Sequence, residues 1–310
     1  MPSIYTSIPS PSIADLQLGP VTLRFYALFI LLGIVLGLWL TANRLKARGV
    51  KASVAVDIAI WAVPFGIIGG RIYHVLTHWN DYFAEGADPS SALRIWEGGL
   101  AIYGAIAFGA VGAWIGCRSA GIRFLSFADA LAPGLLLAQA VGRWGNYFNN
   151  ELFGLPTTLP WGLEIEKINP AYPVGLPPGE LFHPTFLYES LWCLLGVVVL
   201  LLVDRKYQLQ WGRLFSLYLV FYSVGRVFIE SIRIDPANII LGLRTNVWSA
   251  ILGIVVGVAL YLHSRRHHPG LEISLYVAGR EPAEPDEDSG VDSVAESTTG
   301  ESTEVESKAR

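Results

Sequence analysis

Long apolar runs alternate with shorter polar ones along this chain. Seven runs, at about 21–42, 54–76, 98–116, 127–145, 184–203, 214–232 and 247–263, stand out. Each is long enough, at about 1.5 Å per helical residue, to cross most or all of a hydrocarbon layer about 30 Å thick. The pattern predicts an all-α polytopic membrane protein with seven transmembrane helices. No Lys or Arg precedes the first run before Arg24, whereas a secretory signal begins with positive charge. That run is therefore expected to be a retained helix. The third run opens with Gly98-Gly-Leu-Ala-Ile-Tyr-Gly104, and small residues of this kind let helices approach closely. Residues 146–183 form the longest interruption, rich in Pro and Gly; loops of that length tend to be functional or disordered. Two units are predicted: a membrane body over 1–269 and a tail over 270–310.

Composition agrees with the pattern. The chain has 310 residues, 52% of them hydrophobic and only 15% charged, a balance that excludes an ordinary soluble domain pair. The net charge of −4 conceals a division, because residues 270–310 hold three basic residues against eleven acids. That stretch carries −8 and the remainder +4. It has too few apolar residues to bury a core, so it is expected to be disordered. Loop charges set the orientation. Arg44, Lys46, Arg48, Lys51, Arg118, Arg123, Arg205, Lys206, Arg213, Arg265 and Arg266 fall on one set of alternate loops; Arg94, Lys167, Arg233 and Arg244 fall on the other. Positive charge favours the cytoplasm. The N-terminus and the 146–183 loop are then expected outside, and the tail inside.

The candidate chemistry lies at the predicted outer ends of the spans. Residues 142–154 read Gly-Arg-Trp-Gly-Asn-Tyr-Phe-Asn-Asn-Glu-Leu-Phe-Gly. On a helix Arg143, Asn146 and Asn150 stand at i, i+3 and i+7 and share a face. Such a face can hold an anion, or it can simply mark a helix leaving the membrane. Tyr222, Arg226, Glu230 and Arg233 make a second polar stripe on an otherwise apolar span. Arg226 and Glu230 can neutralise each other, yet arginines from two helices at one depth also suit a phosphate. Glu189 begins the fifth span and can serve its free backbone donors. Asp129 reads as a helix cap. Cys117 and Cys193 lie in apolar runs, far apart, and suggest neither a disulfide nor a metal site. There is no HExxH, no GxSxG and no phosphate-binding glycine loop. No metal, cofactor or nucleic-acid partner is expected.

The stretch 142–154 resembles the signature of the bacterial prolipoprotein diacylglyceryl transferases. Further resemblance runs through Gly70-Arg71, Trp96–Gly104, Asp129–Gly134, His183–Glu189 and Tyr222–Arg233. The resemblance implies a seven-span enzyme of the bacterial cell membrane. It would move the diacylglyceryl group of phosphatidylglycerol onto the lipobox cysteine of prolipoprotein signal peptides, with release of glycerol 1-phosphate. The nucleophile then belongs to the substrate. Arg143, Arg226, Glu230, Glu151 and Tyr103 are the expected catalytic residues. Tyr26, Arg71, Asn146, Asn149, Gly154, Glu189, Tyr222 and Arg233 are expected to bind substrate. Many relatives carry histidine where this chain has Tyr103, and a phenol of pKa about 10 is a poor base near neutrality. A transporter for an anionic solute is the rival reading, although no internal repeat of the kind common in transporters is visible.

Overall fold

The computed structural model describes residues 7–19 and 21–281, and eight α-helices carry most of them. They are α1 (Phe25–Ala47), α2 (Val54–Thr77), α3 (Trp79–Phe83), α4 (Ile102–Ser119), α5 (Phe124–Phe148), α6 (Thr185–Tyr207), α7 (Arg213–Ile232) and α8 (Thr245–His267). Six of these, α1, α2, α5, α6, α7 and α8, are long and apolar enough to cross a membrane. Each corresponds to one predicted run. The remaining run, the third in chain order, appears as α4, which has 18 residues and is not among the six. Gly104, Gly109, Gly112 and Gly116 dilute its apolar character, and Arg118 lies in its last turn.

Those glycines have a packing purpose. A Cβ on Gly104 would collide with the carbonyl oxygen of Gly69, so α2 and α4 meet backbone to backbone. α1 and α5 form a similar pair through Gly37 and Gly134. With no hydrophobic gradient between lipid and helix surface, such close approach is the main source of cohesion in a membrane bundle. α5 lies centrally, against α1, α6 and α7, and is the most buried of the apolar helices.

Two predicted helix starts are displaced. Residues 21–24 are not helical: β1 (Asp15–Leu18) and β2 (Val21–Arg24) form an antiparallel hairpin before α1. β-Branched Val21 and Thr22 favour the strand. The third run begins its helix only at Ile102 because Gly98 (φ 97°) and Gly99 (φ 74°) both adopt the left-handed region.

The end of the bundle rich in basic residues is tied by charge and backbone together. Buried Asp129 on α5 accepts the backbone N–H groups of Gly212 (2.7 Å) and Phe215 (2.8 Å). It therefore caps α7 from a different helix, satisfying donors that a helix start leaves free. Arg44 and Arg48 both reach Asp204, at 3.0 and 3.3 Å. The body also continues past residue 269, against the expected boundary. Leu275 and Tyr276 are buried in a core with Leu45, Ile58, Cys117 and Phe127. Buried Glu272 accepts the Ser126 hydroxyl, and Arg123 bonds the carbonyl of Ser274 at 2.8 Å. Residues 270–281 are thus a strap across this end; the rest of the predicted tail, 282–310, lies outside the described residues.

At the opposite end, the 146–183 loop is a small folded cap. β3 (Pro156–Thr157), β5 (Leu181–Phe182) and β4 (Leu163–Glu164) pair in that order. Phe153, Leu163, Ile165, Tyr172, Phe182 and Phe186 form its core. A second short hairpin, β6 (Ile239–Ile240) and β7 (Leu243–Arg244), leads into α8.

Candidate active site

The cap end gathers most of the polar residues singled out in the sequence. The last two turns of α5 present Arg143 and Asn146, and α6 contributes Glu189 from its second turn. α7 places Arg226 and Glu230 one turn apart. Glu189 is the hub between helices. Its Oε2 meets Arg143 Nε at 2.7 Å and its Oε1 meets Arg226 Nη1 at 3.4 Å. Arg226 Nη2 then reaches Glu230 Oε2 at 2.9 Å. On the other side, Arg143 Nη1 donates to Asn146 Oδ1 (3.4 Å), and Asn146 Nδ2 donates to Glu151 Oε1 (2.9 Å). Asn149 adds a donor to the same Glu151 oxygen at 3.3 Å.

Glu230 is the deepest member; its side chain is fully buried. Besides Arg226 it receives Arg244 Nε at 2.7 Å and Asn246 Nδ2 at 3.0 Å, both on Oε1. Asn246 in turn accepts the Tyr103 hydroxyl at 3.3 Å, and Ser249 Oγ lies 2.7 Å from that hydroxyl. One chain of contacts therefore runs from Glu151 on the cap side of α5 to Tyr103 on α4. Within it and along its border, Arg143, Arg226, Arg233 and Arg244 are balanced by Glu151, Glu189, Glu230 and Asp235. An uncompensated charge at membrane depth is costly, and mutual pairing removes most of that cost. A narrow crevice beside the hub is lined by Glu189, Trp192, Cys193, Tyr222, Arg226 and Ile229.

Comparison of the whole chain with known proteins identifies its family. Residues 13–263 match the family model described as prolipoprotein diacylglyceryl transferase. A phosphatidylglycerol–prolipoprotein diacylglyceryl transferase of Paenarthrobacter aurescens is 54% identical over 262 residues, covering 82% of each chain. The protein of that name from Leifsonia xyli is 51% identical over 92% of this chain and 89% of its own. One from Streptomyces griseus is 50% identical, over 91% of this chain and 82% of its own. The chain belongs to the prolipoprotein diacylglyceryl transferase family. With that, the anion-transporter reading loses its ground.

For a diacylglyceryl transferase the predicted residues fall into three groups. Arg143, Asn146, Asn149, Glu151, Glu189, Arg226, Glu230 and Tyr103 form the linked cluster. Tyr222 lines its crevice and faces Arg143. Tyr26 packs on the signature helix, where a Cβ on Gly145 would stand 2.9 Å from its ring. The second group borders the cluster. Buried Arg233 sits 4.0 Å from Glu230 but binds Asp235 more closely, at 2.6 Å. Gly154 bridges to Arg233, and a Cβ there would lie 2.8 Å from the carbonyl oxygen of Ile232. It is a joint between the cap and the end of α7.

Arg71 forms the third group alone. Its guanidinium is spent on backbone carbonyls: Ala92 at 2.8 Å, Gly98 at 2.6 Å, Gly99 at 3.1 Å and Ser91. It pins the 89–99 connection to α2 and is not joined to the cluster by any contact among the described residues. Conversely, sequence reading passes over Arg244, Asn246 and Asp235. Arg244 reads there only as one of four basic residues on the sparsely charged side. A loop residue before a span has no periodicity to mark it, and only the Asn246–Ser249 spacing at the start of the seventh run hints at a polar face.

Proposed function

We propose that this chain transfers the sn-1,2-diacylglyceryl group of phosphatidylglycerol to the lipobox cysteine thiol of prolipoproteins. The product is a thioether, and glycerol 1-phosphate leaves. The observation that carries this reading is the pair of arginines, Arg143 and Arg226, held on opposite oxygens of one carboxylate in a member of this family. In the reaction a C–S bond forms at the glyceryl carbon as its C–O bond breaks. The electron pair passes to the phosphate oxygen. Preorganised donors aimed at that developing charge give the greatest stabilisation such a site can supply. Glu189 gathers Arg143 and Arg226 before substrate arrives, and its longer contact, to Arg226 at 3.4 Å, is the one a phosphate oxygen would replace.

The thiol, with a free pKa of about 8.5, must lose its proton to attack well. Glu151 is the acceptor in this proposal. Glu189, Glu230 and Asp235 each face two or more arginines. Glu151 is held instead by the amides of Asn146 and Asn149. Tyr103, hydrogen-bonded to Ser249 and Asn246, is a donor and a brace rather than the base.

The fold supports a bacterial cell-membrane enzyme with seven spans, α4 completing the six longer helices against α2. The cap and the cluster lie outside and the basic end inside. Two experiments test the reading. Purified protein is incubated with phosphatidylglycerol and a lipobox peptide. Mass spectrometry should find diacylglyceryl on the peptide cysteine and none on a Cys→Ser peptide; an unmodified cysteine peptide would refute the assignment. For topology, Val174→Cys in the cap should react with an impermeant thiol reagent on intact cells, and Ile273→Cys in the strap should not. Both positions are fully exposed, whereas Cys117 and Cys193 are buried. The reverse labelling would invert the orientation.

A further inference from the structure

The oxygens of Glu230 are treated unequally. Oε1 accepts two well-formed hydrogen bonds, from Arg244 Nε at 2.7 Å and Asn246 Nδ2 at 3.0 Å. Oε2, equally buried, makes no hydrogen bond of good geometry. It has only the ionic approach of Arg226 at 2.9 Å and of Arg233 at 4.0 Å. The carboxylate is therefore oriented from the Oε1 side, and Arg226 takes what that orientation offers.

Arg244 is itself rigidly set. Its Nη1 donates to the carbonyl of Arg233 at 3.1 Å, and its Nη2 to the carbonyl of Asp235 at 2.8 Å and Asp235 Oδ2 at 3.3 Å. It thus locks the connection between α7 and α8 while presenting Nε to Glu230. A planar fork can serve both duties at once; an ammonium cannot. Asn246 sits two residues further on and shares the same oxygen, so the start of α8 arrives on Glu230 as a unit.

We propose that Arg244, with Asn246, is a positioning residue for Arg226: it claims one oxygen of Glu230 so that the other holds Arg226 in place for the phosphate. This rests on the transfer reaction proposed above. Without Arg244 the carboxylate is free to turn and draw both nitrogens of Arg226 onto itself. The phosphate clamp is then misaimed though every residue of it remains. A misplacement of about 1 Å is sufficient to cost on the order of 10²-fold in rate.

The test is steady-state transfer to a lipobox peptide by the purified full chain, with thermal midpoints for each variant. Arg244→Ala should lower kcat about 10- to 100-fold while KM for phosphatidylglycerol changes less than about threefold, the sign of a group that acts only in the transition state. Arg244→Lys should restore part of the loss. In a Glu230→Gln background, where the carboxylate charge is gone, Arg244→Ala should cost markedly less than it does alone. A merely structural role would lower the midpoint and leave kcat intact at temperatures well below it. That result, or an equal loss in both backgrounds, would overturn the proposal. Absence of transfer by the wild type would overturn the reaction itself and this role with it; equal transfer by wild type and Arg244→Ala overturns the role alone.

Discussion

Arg71 and Arg226 both sit near the cap end of their helices, and both are largely withdrawn from the surface. Their partners separate them. Arg71 gives its donors to the carbonyls of residues 91–99. Arg226 bonds only carboxylates among the described residues, one of them at 3.4 Å. A backbone carbonyl in a fixed connection cannot be exchanged, so Arg71 is spent on the fold. A carboxylate partner is another anion, and a phosphate oxygen is a chemically similar replacement. The basic end repeats the lesson: Arg44 holds the carbonyls of Asp129 and Ala130 beside its ion pair with Asp204. Arg71 and Arg44 thus brace backbone, whereas Arg226 is held by side chains alone among the described residues.

The sharpest way to break that contrast is to remove one arginine of each kind. Arg226→Ala should cost about 10²-fold or more in transfer rate, as for a lost oxyanion donor, and Arg143→Ala should behave alike. Arg226→Lys should recover only part, because a point charge does not reproduce a planar fork. Arg71→Ala should instead lower the thermal midpoint, because four backbone carbonyls of the 91–99 connection lose a charged donor, and a hydrogen bond to a charged group contributes about 1.5–3 kcal/mol. Its rate per folded molecule should stay within a fewfold of wild type. A thermal melt and a rate measurement on the same preparations check both arms.

Asp129 offers the next test, as a buried carboxylate with no part in the cluster. Asp129→Ala should destabilise by about 1–2 kcal/mol through loss of the α7 cap and leave kcat unchanged well below the melt. Loss of kcat without loss of stability would place it in the chemistry after all. A smaller effect is expected at Tyr103. Tyr103→Phe removes a neutral donor and keeps the ring, so a moderate decrease in rate is expected, with the pH profile unchanged. Loss of the basic limb together with nearly all activity would make the phenol the base. Tyr103→His should remain active. The smallest effect concerns the chain's end. Truncation after Glu281 should leave both melt and rate as they are. Truncation after Pro269 should lower the melt, because it strips Leu275 and Tyr276 from their core.

Hydropathy makes the helices legible because the bilayer demands one length and one polarity from each. The paired stripes on α5 and α7 are legible for the related reason that a charge within such a run needs an explanation. Where those demands lapse, so does the reading. β1 and the folded cap lie outside the apolar runs, β2 takes the first four residues of one, and such short strands carry little pattern. Arg71 is visible as a charge in a span, but its carbonyl partners on a distant loop are not. Arg244 and Asp235 lie on a connection, where charge is ordinary. The strap at 270–281 reads as the start of an acidic tail, since Leu275 and Tyr276 are too few to announce a core by themselves.

The central claim, that Arg226 faces a phosphate across an exchangeable carboxylate, is tested most directly by one comparison. Wild type, Arg226→Ala and Arg71→Ala, each confirmed folded, are given phosphatidylglycerol and a lipobox peptide, and modified peptide is followed by mass spectrometry. The expected result is modification by wild type and Arg71→Ala at similar rates, with the rate for Arg226→Ala lower by about 10²-fold or more. Modification by Arg226→Ala at the wild-type rate would contradict it.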